Sequence, residues 1–581
     1  MTKTEKYAGA LMTALLGVGA YAFFAFRYPY HLHFQEQYQL FEWTRGYFAE
    51  VASVPGGLAD WVGRCLTQFC YYAPAGAAIL AALLCGVQLL VFAACRRRTL
   101  PCYAASFLPV VPLLAFYCDE NALFGGAVAL LLTLGAAVLC ARVRNDRLRC
   151  WLAAGLIPLL YLACGALTVV FAGVVVAAEA PRSSRRAWAL GVAALLLLLG
   201  SLLQAQQLFP YPLRRLAYGV HYHRYRSFFP AWLWLAALLC VAVAVGSALP
   251  LRERPARRRL AFGAGLFALA ALAGTGLTLR CADDAKEEWA RYDFMVRNGM
   301  WNRLMMQADR KNPDNPMTVA CLNLALAKTG RMGDHMFDYF QNGPEGLLTT
   351  FVRSHTNPVP TGEIYWNLGM VNTAQRFAFE AQEAIPDFQK SARCYRRLAE
   401  TNIVNGDLAV ARKYLRSLEH TLFYRRWAKE TAAALDAGDV FERQPALARA
   451  RDLRLKEHDF FFSAEETDSM LGLLKVEHPA NGMALDYLMA WCLLRKDLDR
   501  FVEVLPMVDT PSLPKSWQEA LLLRWVLTHS DFEGLPEYLS RAYAQRIVGF
   551  INDNRAGKSE AEMQRAYGDT YWFYYYYRYR Q

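Results

Sequence analysis

Three carboxylates stand where apolar sequence gives way to polar sequence. Glu36 follows closely on an apolar stretch that ends near Phe26. Asp119 and Glu120 form a short acidic step between apolar stretches 101–118 and 122–141. Between two later apolar stretches lies a run of cations and rings: Arg214, Arg215, His221, Tyr222, His223, Arg224, Tyr225 and Arg226. A carboxylate at the edge of an apolar region can take the proton of an attacking hydroxyl. Arginine forks match phosphate oxygens, and fixed cations stabilise a departing phosphate. Together these residue types fit the transfer of a group from a lipid-borne phosphate. In that chemistry Glu36 is the expected base, with Asp119 next in line; Asp119 could instead orient a metal or the acceptor, and Glu120 beside it is a further catalytic candidate. Arg214, Arg215, His221, His223, Arg224 and Arg226 hold the phosphate. Each group also has a plainer role. Glu36 could cap a helix, Asp119-Glu120 could end a hairpin, and the basic loop could be a belt against lipid head groups.

Other chemistries are missing. There is no GxxxxGK[ST], HExxH, GxSxG or GxGxxG after a strand. His33 and Glu36 are neighbours, but their spacing is not that of a metal site, and no cofactor is named by any motif. Most of the 14 cysteines sit singly in apolar sequence, where Cys behaves as a small hydrophobe; no CxxC occurs. The formal charge of +12 does not indicate nucleic acid, because many of the arginines fall in short loops between apolar segments.

The elements that must carry these residues are membrane helices. A spanning helix needs about 20 apolar residues. Segments 7–26, 70–95, 122–141, 187–208, 229–250 and 261–279 meet that length, and 101–118 is a shorter candidate. Lys3 and Lys6 precede the first segment, and Arg27-Tyr28-Pro29-Tyr30 follows it where a signal peptide would have small residues, so it reads as a retained anchor. Residues 1–280 are thus expected to form a transmembrane bundle that contacts the lipid bilayer. Its outer loops are 27–68, 119–121 and 210–228. Within the first, 57–64 reads as a helix lying on the membrane surface.

Segment 150–179 decides the topology. It is too long for one upright crossing and short for two. A single crossing puts Arg182, Arg185 and Arg186, and then the arginines of 252–259, on the face opposite the arginines of 96–98 and 142–149. A hairpin turning near Gly165 returns all of them to one face, as the positive-inside rule requires. Parity then puts residues 281–581 on the outer, periplasmic side of an inner membrane.

From Asp283 onward apolar residues recur every three or four positions. Leu398-Ala399, a turn at Gly406-Asp407, and Ala411 with Leu415 four residues later resemble a tetratricopeptide repeat. The expectation is an all-α chain: a polytopic bundle, then a helical-repeat solenoid over 281–581 with a face for a protein partner. The aromatic end, Tyr571 to Tyr579, reads first as a cap on the last helices and second as a sugar-stacking surface.

A multi-span module with a long first outer loop, an acidic residue soon after span one and another in the second outer loop resembles the C-type membrane glycosyltransferases. The resemblance covers residues 7 to about 279. It implies a polyprenyl-phosphate sugar donor and an acidic catalytic residue. The sequence departs from that pattern in one respect: its first loop has no Asp-Asp or Asp-Glu pair, only Glu36 and then Glu42. The whole chain, with FQEQYQLFEWT in its first loop and TYWFYYYY near its end, also resembles an uncharacterised family of bacterial membrane proteins. Two functions follow: a glycosyltransferase using a lipid-phosphate donor, or a non-catalytic anchor that displays a repeat domain as a scaffold.

Overall fold

The computed structural model describes residues 1–225, 227–249, 255–350, 356–386, 389–455, 466–508, 512–529 and 531–579. The chain is all-α. Among the described residues there is no β-strand, and one isolated antiparallel bridge joins Ala122 to His223. Two compact units are present. One is Met1–Glu287 with Pro386–Ala392 and Ser417–Arg426; the other is Glu288–Ile385 with Arg393–Arg416 and Trp427–Gln581.

In the first unit six helical segments are long and apolar enough to cross a membrane: Lys3–Arg27, Ala73–Ala94, Asp146–Glu179, Ser184–Leu208, Ala231–Ala248 and Ala256–Cys281. The shorter apolar segments Leu100–Phe116 and Gly125–Ala141 belong to the same bundle. Local chemistry sets their starts. Thr2 and Glu5 form a capping box, Ser183 caps its helix, and Pro74 and Pro101 occupy first-turn positions where no N–H bond is lost. Leu100–Phe116 is broken into Leu100–Ala105 and Val110–Phe116, with a turn between them that ends at Pro109, which has no N–H to continue the helical ladder. Val18, Leu196, Leu203, Leu269 and Leu272 point outward, fully apolar and exposed, as helices solvated by lipid require.

Asp146–Glu179 is a hairpin. Its limbs are Asp146–Cys164 and Thr168–Glu179, and the turn is at Gly165, whose φ of +70° suits glycine. The two ends of the segment meet, with Arg149 Nη2 2.8 Å from Glu179 Oε2. The turn touches the other outer loops: the Tyr222 hydroxyl receives the Leu167 N–H at 3.0 Å, and the Gly56 N–H donates to the Leu162 carbonyl at 2.8 Å.

At the other end of the bundle the arginines collect. Arg96 N–H donates to Ser247 Oγ at 3.0 Å, Arg259 pairs with Glu5 at 3.1 Å, and Arg182 reaches the Ala141 carbonyl at 3.2 Å. Arg252 and Arg254 lie outside the described residues.

The second unit is a pile of short helices on one core, including Tyr292, Leu324, Tyr487, Leu488, Phe501, Ile547 and Trp572. Leu398, Ala399, Ala411 and Leu415 are all buried, and Gly406 turns the chain between their helices at φ +89°. In the last helix, Tyr571–Tyr577, the side chains of Tyr571, Trp572, Phe573 and Tyr574 are buried in that core. Those four rings therefore cap it and offer no sugar-stacking surface.

Candidate functional site

The first outer loop folds into three helices: Pro29–Gln37, Arg45–Ala52 capped by Thr44, and Gly57–Thr67. The last of these is wedged into the bundle instead of lying on its surface, because glycines let backbones touch. A Cβ at Gly63 would come within 2.4 Å of the Gly125 nitrogen, and one at Gly125 would meet the His221 carbonyl at 3.0 Å. That close approach carries Asp60 inward until it is 1% exposed. Asp60 Oδ2 lies 2.8 Å from Arg64 Nη2, one helical turn on, and 3.4 Å from His221 Nδ1. Arg64 Nη1 also donates to the Tyr47 hydroxyl at 3.4 Å. Burial alone would loosen the Arg64 proton, but the charge of Asp60 and the contact with Tyr47 outweigh it and hold the guanidinium charged.

These residues line a cavity of about 700 Å³. Arg214, Arg215, Tyr211 and Tyr218 of the third outer loop also line it, as do Glu42, Glu50 and Lys390. Arg215 is buried, donates to the Val220 carbonyl at 2.8 Å and sits 5.4 Å over the Tyr211 ring. Arg214 is exposed and lies 5.8 Å over the Tyr218 ring. The cavity thus combines a buried carboxylate–imidazole contact with guanidiniums able to grip a phosphate. Of the residues expected from sequence, Arg214, Arg215 and His221 line it.

The other expected residues are elsewhere. Asp119 accepts from His223 Nε2 at 3.0 Å and from the Asn121 N–H at 2.8 Å. Burial pushes its carboxyl up, but the bond and charge of His223 reverse this and leave it below the usual carboxylate range. Glu120 pairs with Lys286 at 2.8 Å. Arg224 is almost fully buried, its backbone N–H bonded to the Asn121 carbonyl and its guanidinium 5.5 Å over the Tyr38 ring. Its Nε and Nη1 have no hydrogen-bond partner among the described residues, and burial lowers its pKa to about 10. Burial also lowers His31, to about 4. Gln35 ties this cluster together by donating to the Ala122 carbonyl at 3.1 Å. Glu36 is buried on the same helix, with Oε2 3.5 Å from the hydroxyl of Tyr424, a residue of the same unit. Neither Glu36, Asp119, Glu120, His223 nor Arg224 lines the 700 Å³ cavity. Arg226 lies outside the described residues.

Asp60, Arg64 and Tyr47 were not singled out from sequence. The available signal was Asp60 and Arg64 at i,i+4 on a helix flanked and interrupted by Gly56, Gly57 and Gly63, a pattern of close packing. Among the described residues no three His, Cys, Asp or Glu side chains come together as a metal-binding group.

No curated protein and no solved structure matches this chain. A family model matches residues 4–578, nearly the whole sequence, and the chain belongs to that family, a family of unknown function (DUF6057).

Proposed function

We propose that this protein is a membrane-embedded transferase that moves a sugar from a lipid-phosphate donor, working at the bundle end that carries the outer loops. The observation behind this reading is the cavity lined by Arg214, Arg215, His221 and Asp60, with His221 Nδ1 3.4 Å from Asp60 Oδ2. The phosphate of the donor lies against Arg214 and Arg215. The acceptor hydroxyl gives its proton to the Asp60–His221 pair as its oxygen bonds to the sugar carbon. The bond from that carbon to the phosphate oxygen breaks, and the phosphate leaves with the electron pair, its charge met by the two guanidiniums. Asp60 replaces Glu36 as the working carboxylate. Asp119, Glu120, His223 and Arg224 build the floor that holds the outer loops in place. The clustering of arginines at the opposite end supports an orientation with that end cytoplasmic and the cavity and second unit periplasmic, in the inner membrane. The second unit, read as a tetratricopeptide-like array, presents the acceptor or a protein partner.

The test is a deletion strain complemented with wild type, Asp60→Asn, His221→Gln or Arg214→Ala/Arg215→Ala, followed by mass spectrometry of envelope glycolipids and glycoproteins. Loss of a general base costs about 10²–10⁴ in rate, so the first two variants are expected to lose the product at normal protein level. Wild-type product in all three variants would replace this reading with that of a non-catalytic scaffold.

A further inference from the structure

The charged side chains that line the cavity have two signs. Arg214 and Lys390 stand without an ion-pair partner among the described residues, as do Glu42 and Glu50. Asp60, the buried carboxylate, is already engaged by Arg64 and His221, so it contributes no net charge to a ligand. What remains is an unmatched pair of cations and an unmatched pair of carboxylates lining the same 700 Å³. A ligand that carried only a phosphate would satisfy the first pair and be repelled by the second.

The chemistry of the positive group on the ligand follows from the rings. A quaternary ammonium is held on open aromatic faces. Here Arg215 and Arg214 already lie over the rings of Tyr211 and Tyr218, at 5.4 and 5.8 Å, and the Tyr47 ring packs edge-to-face with Phe41 at 5.3 Å. Two free carboxylates instead suit a group with N–H donors, which a primary ammonium has and a trimethylammonium lacks.

From this we infer that the cavity selects a phosphate ester bearing a primary ammonium group, with the phosphate held by Arg214 and Arg215, assisted by Lys390, and the ammonium held by Glu42 and Glu50. The inference rests on reading the cavity as a lipid-phosphate site and names the class of group bound there. Two sources supply that chemistry at a bilayer surface: an amino sugar on a lipid phosphate, and the phosphoethanolamine head of a phospholipid.

The experiment uses the full chain purified in dodecylmaltoside and titrated calorimetrically with glucosamine 1-phosphate, N-acetylglucosamine 1-phosphate and glucose 1-phosphate. These share a phosphate and differ in the ammonium. The ammonium form is expected to bind about tenfold more tightly, the size of one charge-assisted hydrogen bond. Glu42→Gln/Glu50→Gln, at exposed or half-buried positions where folding is unaffected, is expected to erase the difference without weakening glucose 1-phosphate. Arg214→Gln is expected to weaken all three. A parallel arm places the protein in nanodiscs of phosphatidylethanolamine or of phosphatidylcholine. Competition against glucosamine 1-phosphate by the first lipid and not the second assigns the phospholipid source; competition by neither assigns the amino sugar. Equal binding of all three sugar phosphates overturns the inference, and if that binding still depends on Arg214 the lipid-phosphate reading survives. Absence of any binding overturns both. Equal competition by the two lipids also overturns the inference, since choline has no N–H.

Discussion

Substituting Glu179 tests the hairpin on which the orientation of every loop depends. In one continuous helix, residues 149 and 179 would be about 45 Å apart, at 1.5 Å per residue. In the folded chain Arg149 Nη2 is 2.8 Å from Glu179 Oε2, and both side chains are buried, at 4% and 2% exposure. Glu179 also receives Arg186 at 3.0 Å and Arg182 at 3.6 Å, from side chains that are 37% and 40% exposed. Arg149 also keeps Asp146 Oδ1 at 2.6 Å and the Val143 carbonyl at 2.8 Å. Glu179→Gln therefore leaves the buried guanidinium with its half-exposed partner and should cost about 1–3 kcal/mol. Arg149→Met leaves Glu179 with two solvated arginines and should cost a similar amount. In the double variant the lost pair is counted once, so its loss should fall short of the sum by about 1–3 kcal/mol. Reversible unfolding in mixed dodecylmaltoside and dodecyl sulfate micelles measures all three. A coupling within about 0.5 kcal/mol of zero, the scatter of independent sites, would mean that the two residues do not meet, and the hairpin would have to be abandoned.

Two further perturbations probe other parts of the chain. Glu519 is fully buried and accepts the Tyr571 N–H at 2.8 Å, and burial raises its pKa from 4.5 to about 8. The raised pKa means that the folded state holds the proton more tightly, so this group's contribution to stability is complete below about pH 4.5 and lost as pH rises through about 8. Glu519→Gln keeps an acceptor for Tyr571 and should leave stability near wild type at pH 5 but exceed it by a few kcal/mol at pH 9; parallel thermal-unfolding profiles by circular dichroism would contradict this. Gly63→Ala inserts a methyl group where the nearest backbone nitrogen is 2.4 Å away, so the Gly57–Thr67 helix must shift. A loss of about 1–3 kcal/mol is expected, together with reduced binding of glucosamine 1-phosphate by the calorimetry above, because Asp60 moves with that helix; an unchanged melting temperature would refute the close packing.

The bundle was legible in sequence because its signals are collective. Apolar length marks the crossing segments, and four arginine clusters separated by apolar runs admit few arrangements, so the turn at Gly165 could be found from charge alone. The same evidence could not find Asp60. In sequence it is an ordinary acidic residue on an amphipathic helix, and its burial depends on a glycine contact with Gly125, far along the chain. Glu36 shows the opposite case. Its nearness to the first crossing segment makes it conspicuous in sequence, but it does not line the cavity and lies beside Tyr424 instead. The basic loop stands out in sequence as a whole; that Arg214, Arg215 and His221 are its members lining the cavity depends on how the loop folds back.

That division follows from the geometry of residues 221–224. The isolated bridge of His223 to Ala122 anchors a stretch whose neighbouring residues are bends. His221 lines the cavity beside Asp60, Tyr222 accepts the Leu167 N–H at the hairpin turn, and His223 contacts Asp119. One short stretch thus touches the first outer loop through Asp60, the second through Asp119 and the hairpin through Leu167. Asp119, His223, Asn121 and Arg224 tie this stretch to the second loop, with the Asp119–His223 contact at 3.0 Å and the Arg224 N–H bonded to the Asn121 carbonyl at 2.9 Å. Losing those bonds would leave the buried polar groups of His223 and Asn121 unpaired, at about 1–3 kcal/mol each, so Asp119 and His223 help to fix the place of the neighbouring His221 beside Asp60.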